Sequence, residues 1–252
     1  MMKKTNQKLI VIVGPTAVGK TELSILLADK FQGEIISADS RLFYRGMDIG
    51  TAKPSDKEMR VVPHHLIDVA DPDEEWSLAK YLKEANQLIE AIGARGKLPF
   101  LVGGTGQYVQ ALVEGWSLPE VQPDPGLRRA LDRWAEEIGS DGIRKRLTEL
   151  DPEAAVGIDG PNLRRMVWAL EVILSTGEKF SSQKRKVGSS YQILQIGLIR
   201  SREELYQRID LRVEKMLEEG LVDEVRDLLE AGYSSELSAM SAIGYKQIAD
   251  HL

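Results

Sequence analysis

The segment Gly14-Pro15-Thr16-Ala17-Val18-Gly19-Lys20-Thr21 is the part of this chain best equipped for chemistry. Two glycines five positions apart, followed by Lys and Thr, let backbone N–H groups converge on phosphate oxygens. Lys20 adds a cation, and Thr21 offers a hydroxyl to magnesium. All eight residues are read as a site for a diphosphate or for a nucleotide such as ATP. Asp39 closes the next apolar run, Ile35-Ile36, where a carboxylate serves either as a general base or as a turn cap. Gly103-Gly104-Thr105-Gly106 is a second glycine turn, and the Thr105 hydroxyl either meets a ligand or caps the following helix. Arg208, Arg212 and Lys215 recur at steps of four and three, a basic stripe from which Arg212 is the candidate cation for an anionic ligand. Glu214, Glu218 and Glu219 give the same stripe an alternative as an ion-paired solvent face. His64-His65 is read as structural, because adjacent residues do not readily ligate one metal and no cluster completes a site.

These residues need a parallel sheet to bring them together. Leu9-Ile10-Val11-Ile12-Val13 is a short apolar run of the kind that forms a strand buried on both faces. Helical spacing follows from Lys20, with Leu23, Leu26, Leu27 and Phe31 on one face and Gly33 as the expected stop. Residues 46–73 have no clear period and read as long loops. Ser77 to Ile92 is helical, and Pro99 to Val102 is another strand. From Trp116 to Ser190 the strand signal disappears into short amphipathic helices, returning at Tyr191 to Ile199 before a last helical stretch. The expected fold is α/β, a phosphate-loop NTPase-like parallel sheet flanked by helices, formed by residues 1–115 and 191–252, with an all-helical insertion at 116–190.

Composition narrows the function. The 252 residues, 42% of them hydrophobic, suffice for one large core with a small attached domain. No apolar run is long enough to cross a bilayer and no signal-peptide pattern is present, so a cytoplasmic protein with no membrane partner is expected. Cysteine is absent, which excludes disulfides, thiolate catalysis and cysteine-bound zinc. With 33 basic and 39 acidic residues the net charge is −6, but basic residues concentrate in the middle third, including Arg128, Arg144, Arg164 and Arg165. Three activities are compatible with the phosphate loop: a small-molecule kinase, a switch GTPase, and a group transferase that holds a diphosphate as leaving group. No Asn-Lys-x-Asp segment reads guanine. The strands at Phe100 and Ile193 end in no magnesium-binding aspartate, although His65-Leu66-Ile67-Asp68 imitates one, which weakens the kinase.

Taken in order, the phosphate loop, Ser37-Ala38-Asp39-Ser40, Gly46 to Pro54, His64 to Asp68, Val102 to Gly106, Trp168 to Val172, Arg208 to Gly220 and Ala242 to Gln247 closely resemble the tRNA dimethylallyltransferase (IPP transferase) family. The resemblance covers nearly the whole chain. It implies magnesium-dependent transfer of a dimethylallyl group from dimethylallyl diphosphate to N6 of the adenosine beside the anticodon, adenosine-37, in tRNAs reading codons that begin with U. A phosphate-loop kinase and prenylation of free adenine nucleotides are the alternatives. By the same resemblance Asp39, Thr105 and Arg212 are catalytic, and Gly14 to Thr21 hold the diphosphate, with Thr21 toward magnesium. Asp39, Ser40, Arg41, Leu42 and Thr105, with Arg128, Arg164 and Arg165, contact the tRNA anticodon stem-loop, and the protein is expected to act as a monomer. The sequence departs from the family at Trp168, where arginine is common. Family members also continue some tens of residues past Gly244-Tyr245, so a truncated form is expected.

Overall fold

The computed structural model describes residues 7–117, 124–183, 185–186 and 188–252. The chain divides into two compact units, one built from the residues up to Val113 together with Ser189–Leu252, the other Glu114–Gly188. The first begins with β1 (Lys8–Val13), α1 (Lys20–Lys30), β2 (Gly33–Ser37), α2 (Asp56–Val61), β3 (His64–His65), α3 (Leu78–Ala94), β4 (Leu98–Gly103) and α4 (Gly106–Val113). The second unit contains β5 (Trp116–Ser117), α5 (Pro125–Leu150), α6 (Pro152–Gly157), α7 (Leu163–Thr176), α8 (Phe180–Gln183) and β6 (Arg185–Lys186). The chain then re-enters the first unit as β7 (Gln192–Gly197), α9 (Arg202–Glu218), α10 (Leu221–Glu230) and α11 (Tyr245–Ala249).

Five parallel strands in the order β3-β2-β4-β1-β7 form the sheet, and the fold is α/β of the phosphate-loop NTPase-like kind. The register matters most. Because β4 lies between β1 and β2, with Val13 opposite Gly103 and Ser37 opposite Val102, the residues that follow these three strands emerge along one edge. That carboxyl edge is where open α/β sheets bind ligands. Gly103 is required there, since a Cβ at this position would meet the Ala38 backbone at 2.2 Å.

Two expectations about α1 are corrected. The helix ends at Lys30 and not at Gly33, which is the first residue of β2. A Cβ on Gly33 would lie 2.4 Å from the Phe100 ring, so its lack of side chain serves close strand packing. The leucine face is also only partly covered by the sheet: Leu27 packs with Ile25 against the sheet core, but Leu26 is 64% exposed, and the fully buried positions are the small Ser24 and Ala28. Small residues let the helix axis approach the sheet closely.

The second unit is not all helical, because β5 and β6 pair antiparallel. Its α5 is two helices joined at Gly139, whose φ of 69° and ψ of 178° break the helical path. Leu131, Ile143, Leu147, Met166 and Leu170 are in its core. Trp168 packs edge-on against Phe180 with ring centroids 4.8 Å apart, so the departure at this position is used for packing. No helix among the described residues is long and apolar enough to cross a membrane.

Candidate active site

β1 delivers the phosphate loop to the carboxyl edge and α1 carries it away, so the helix N-terminus with its positive dipole end opens at the loop. Gly19 stands at φ 103° and Ala17 at φ 64°, both left-handed. Among the described residues, the N–H groups of Val18, Gly19, Lys20 and Thr21 have no protein acceptor. Lys20 Nζ donates to the Gly14 and Pro15 carbonyls, each at 2.9 Å.

The loop borders a cleft of about 510 Å³. Thr16 to Glu22 form one side of it, and Asp39, Leu42, Thr51, Pro54, Arg208, Arg212 and Lys215 are among the residues that line the remainder. Burial holds the Lys20 ammonium below its ordinary range, against the opposing pull of Asp39 and with a further push from Arg212. Burial likewise lowers Arg212, again opposed by Asp39. These three charges therefore sense one another in a partly desolvated cleft. Arg212 also reaches the Thr51 carbonyl at 3.4 Å.

Asp39 sits in the turn after β2, held by its own hydrogen bonds. Its Oδ1 accepts the Arg41 N–H at 3.0 Å, and its N–H donates to Ser37 Oγ at 3.2 Å. Thr105 does not cap α4 with its hydroxyl. Instead its Oγ1 accepts the Ser40 N–H at 3.0 Å, and its own N–H donates to the Ala38 carbonyl at 3.1 Å, tying the second glycine turn to the Asp39 turn. Thr105 is thus beside Ser40, next to Asp39 in the chain, but does not border the cleft itself.

The residues matched to tRNA contacts have different surroundings. Arg41 reaches the C-terminal segment, donating to the Ser238 carbonyl at 2.8 Å and to Ser241 Oγ at 3.3 Å. Leu42 borders the cleft. In the helical unit Arg128 is paired with the buried Glu171, whereas Arg164 and Arg165 are exposed at the start of α7 without a side-chain partner among the described residues. Arg144 donates to the Ala155 and Ile158 carbonyls and so braces the end of α6. His64 Nδ1 is 2.7 Å from the Val62 carbonyl and His65 Nε2 2.6 Å from Glu34, a structural use of both rings. Asp68, the imitation of a kinase aspartate, is paired with Lys53.

Several residues that organise the site escape notice in the sequence. Glu224 accepts the N–H groups of Asp48 at 2.9 Å, Ile49 at 2.8 Å and Gly50 at 3.3 Å, and also the Tyr245 hydroxyl. Lys53, with a side chain only 5% exposed, pairs with Asp48 and Asp68 and donates to the Tyr44 carbonyl. Together they fix the loop that brings Thr51 and Pro54 to the cleft. Nothing in the spacing announces Glu224, whose partners are backbone amides some 175 positions away.

No group of three or more metal-ligating side chains occurs among the described residues. The cleft does present the Thr21 hydroxyl and the Glu22 and Asp39 carboxylates. Such a set of hard oxygen donors suits magnesium that is bound mainly through substrate phosphates.

The sequence profile described as IPP transferase matches residues 42–252, and the one described as isopentenyl transferase matches 7–69. The tRNA dimethylallyltransferase of Roseiflexus sp. (strain RS-1) is 54% identical over 239 residues, 95% of this chain and 78% of the relative. That of Herpetosiphon aurantiacus is 50% identical over 246 residues, 98% and 78%. Among solved structures, the full-length tRNA isopentenylpyrophosphate transferase from Bacillus halodurans superposes with a TM-score of 0.68 at 45% identity, covering 97% of this chain and 77% of that one. A eukaryotic dimethylallyltransferase acting on tRNA gives a TM-score of 0.81 at 32% identity, covering 97% and 63%. The chain belongs to the IPP transferase family, whose named relatives are tRNA dimethylallyltransferases.

Proposed function

We propose that this protein transfers a dimethylallyl group from dimethylallyl diphosphate to N6 of the adenosine beside the anticodon in tRNAs reading codons that begin with U. One observation carries the reading: a phosphate loop whose cleft holds Asp39 together with Lys20 and Arg212. The family supplies the substrate class, and the cleft supplies the division of charge that the reaction needs.

Allylic C–O cleavage leaves negative charge on the diphosphate and positive charge on carbon. The loop N–H groups, Lys20 and Arg212 face the developing anion, in a place where partial burial strengthens their effect. Thr21 would hold magnesium, which when bound supplies additional charge neutralisation at the leaving group. The adenine amine is a weak nucleophile because its lone pair is delocalised into the ring. Asp39 takes the proton that N6 gives up as the new C–N bond forms. Thr105 keeps the Asp39-Ser40 turn in register with β4. A nucleotide flipped out of the anticodon loop brings its N6 to this turn. Arg164 and Arg165 meet the stem-loop backbone.

The test combines the protein with magnesium, labelled dimethylallyl diphosphate and an anticodon stem-loop carrying adenosine at the last anticodon position and beside it. Label on N6 of the neighbouring adenosine is expected. Label on AMP in preference to the stem-loop, or phosphoryl transfer from ATP, would overturn the reading.

A further inference from the structure

Two carbonyls of the phosphate loop are taken by arginines from the far end of the chain. Arg208 Nε donates to the Ala17 carbonyl at 2.7 Å, and Arg200 Nε donates to the Val18 carbonyl at 2.9 Å. In a planar trans peptide the C=O and N–H point in opposite directions. Fixing the Ala17 carbonyl therefore fixes the Val18 N–H, and fixing the Val18 carbonyl fixes the Gly19 N–H. Both of these donors lack a protein acceptor among the described residues, and both residues border the cleft. Ala17 also sits at φ 64°, a conformation that a residue with a Cβ keeps only where its surroundings hold it.

We propose that Arg208 and Arg200 are positioning residues for the anion site: by holding the Ala17 and Val18 carbonyls they aim the Val18 and Gly19 N–H groups at the diphosphate. The inference rests on the reading of this loop as the diphosphate site. Arg208 precedes Arg212 by one helical turn on α9, so the same helix that offers a cation to the ligand also sets the loop. Arg200 is braced by an ion pair with Glu204, in the first turn of that helix. A preorganised set of donors binds its anion without first having to turn peptides around.

Charge and aim can be separated. Both arginines also bring positive charge to the loop, Arg208 as a residue of the cleft and Arg200 with its Nη2 3.9 Å from where a Cβ on Gly19 would stand. Lysine at either position keeps the charge but has no N–H at the place of Nε. The experiment titrates inorganic diphosphate with magnesium into the wild-type chain and into Arg200→Lys, Arg200→Met, Arg208→Lys and Arg208→Met. KM is measured in parallel for dimethylallyl diphosphate and for the stem-loop. All four substitutions should weaken diphosphate binding about tenfold, the loss expected when charge-assisted bonds that hold the donors are removed. KM for dimethylallyl diphosphate should rise with it, while KM for the stem-loop stays within about twofold, an outcome that general loosening of the fold would not give. Lysine variants that bind like wild type would reduce the role to charge and overturn the proposal. So would methionine variants that bind like wild type, or a parallel rise in both KM values. If the Arg208 variants do not fold, the Arg200 pair decides alone. A wild-type chain that binds no diphosphate overturns the reading of the loop and this inference together; one that binds and prenylates, with variants indistinguishable from it, overturns the inference only.

Discussion

At the residue scale, the two oxygens of Asp39 are differently placed. Oδ1 accepts the Arg41 N–H at 3.0 Å, while Oδ2 has no hydrogen-bond partner among the described residues. Oδ2 is therefore the atom free to take a proton, and the turn does not depend on it. Asp39→Asn keeps the shape and the Oδ1 acceptor but not the basicity. Turnover should fall about 100- to 10,000-fold, the usual contribution of a general base, while diphosphate affinity changes little. Single-turnover transfer alongside diphosphate titration checks this, and retained turnover would remove Asp39 from the chemistry. Thr105→Val should act differently. It leaves the Ser40 N–H without its 3.0 Å acceptor, so stability should fall by about 1–2 kcal/mol together with kcat/KM. Thermal melts and steady-state rates on one preparation distinguish this from loss of a purely catalytic contact.

At the scale of elements, carboxylates anchor both a strand and a loop. Glu34 in β2 is 4% exposed at its side chain and binds His65 of β3 at 2.6 Å, Arg95 at 2.8 Å and Lys97 at 2.9 Å. Burial alone would raise its pKa, but the hydrogen bonds from Lys97, His65 and Arg95 outweigh it and bring the group from 4.5 down to about 2. Because the folded value is the lower one, the stabilisation is complete above pH 4.5 and is lost as pH falls toward 2. Glu34→Gln should cost about 2 kcal/mol at neutral pH, less than a fully buried pair because Arg95 and Lys97 are partly solvated. Denaturant melts should show the gap from wild type closing between pH 4.5 and 2; a constant gap would mean that the charge is not responsible. Glu224 does the corresponding work for the loop at 46–53. Glu224→Ala should speed amide exchange at Asp48, Ile49 and Gly50 specifically and cost about 2–3 kcal/mol. Exchange measured residue by residue would refute this if those three amides stayed protected.

At the scale of the whole molecule, what the sequence discloses follows from the kind of interaction involved. The apolar run at β1, the glycine turns after β1 and β4 and the return to strand at β7 are local patterns, and they are legible. So is Asp39, because a carboxylate in the turn just after an apolar run is itself a pattern. Glu224, Arg200 and Arg208 bond to distant backbone atoms, which carry no side-chain signature, so only the folded chain exposes these bonds, although Arg208 is visible in the sequence as part of a basic stripe. The full burial of Ser24 and Ala28 beside a leucine face that is only partly covered is hidden for a related reason: periodicity marks a face but not how closely it is approached. The basic residues of the middle third are alike as sequence, yet in the helical unit they separate by partner. Arg128 is committed to Glu171, and Arg144 to the carbonyls at the end of α6, while Arg164 and Arg165 are exposed. Of these four, Arg164 and Arg165 are available to phosphates without breaking an internal bond. Replacing both Arg164 and Arg165 with Gln should weaken stem-loop binding most at low salt and reduce the slope of log affinity against log salt by about 1–2, the signature of two lost phosphate contacts. Dimethylallyl diphosphate affinity and the melting temperature should not change. Arg128→Gln should instead destabilise the helical unit by leaving Glu171 with one partner fewer, and should leave the salt slope intact. Fluorescence anisotropy across a salt series, paired with thermal melts, separates the two; an unchanged slope in the double variant would mean that the start of α7 does not meet RNA.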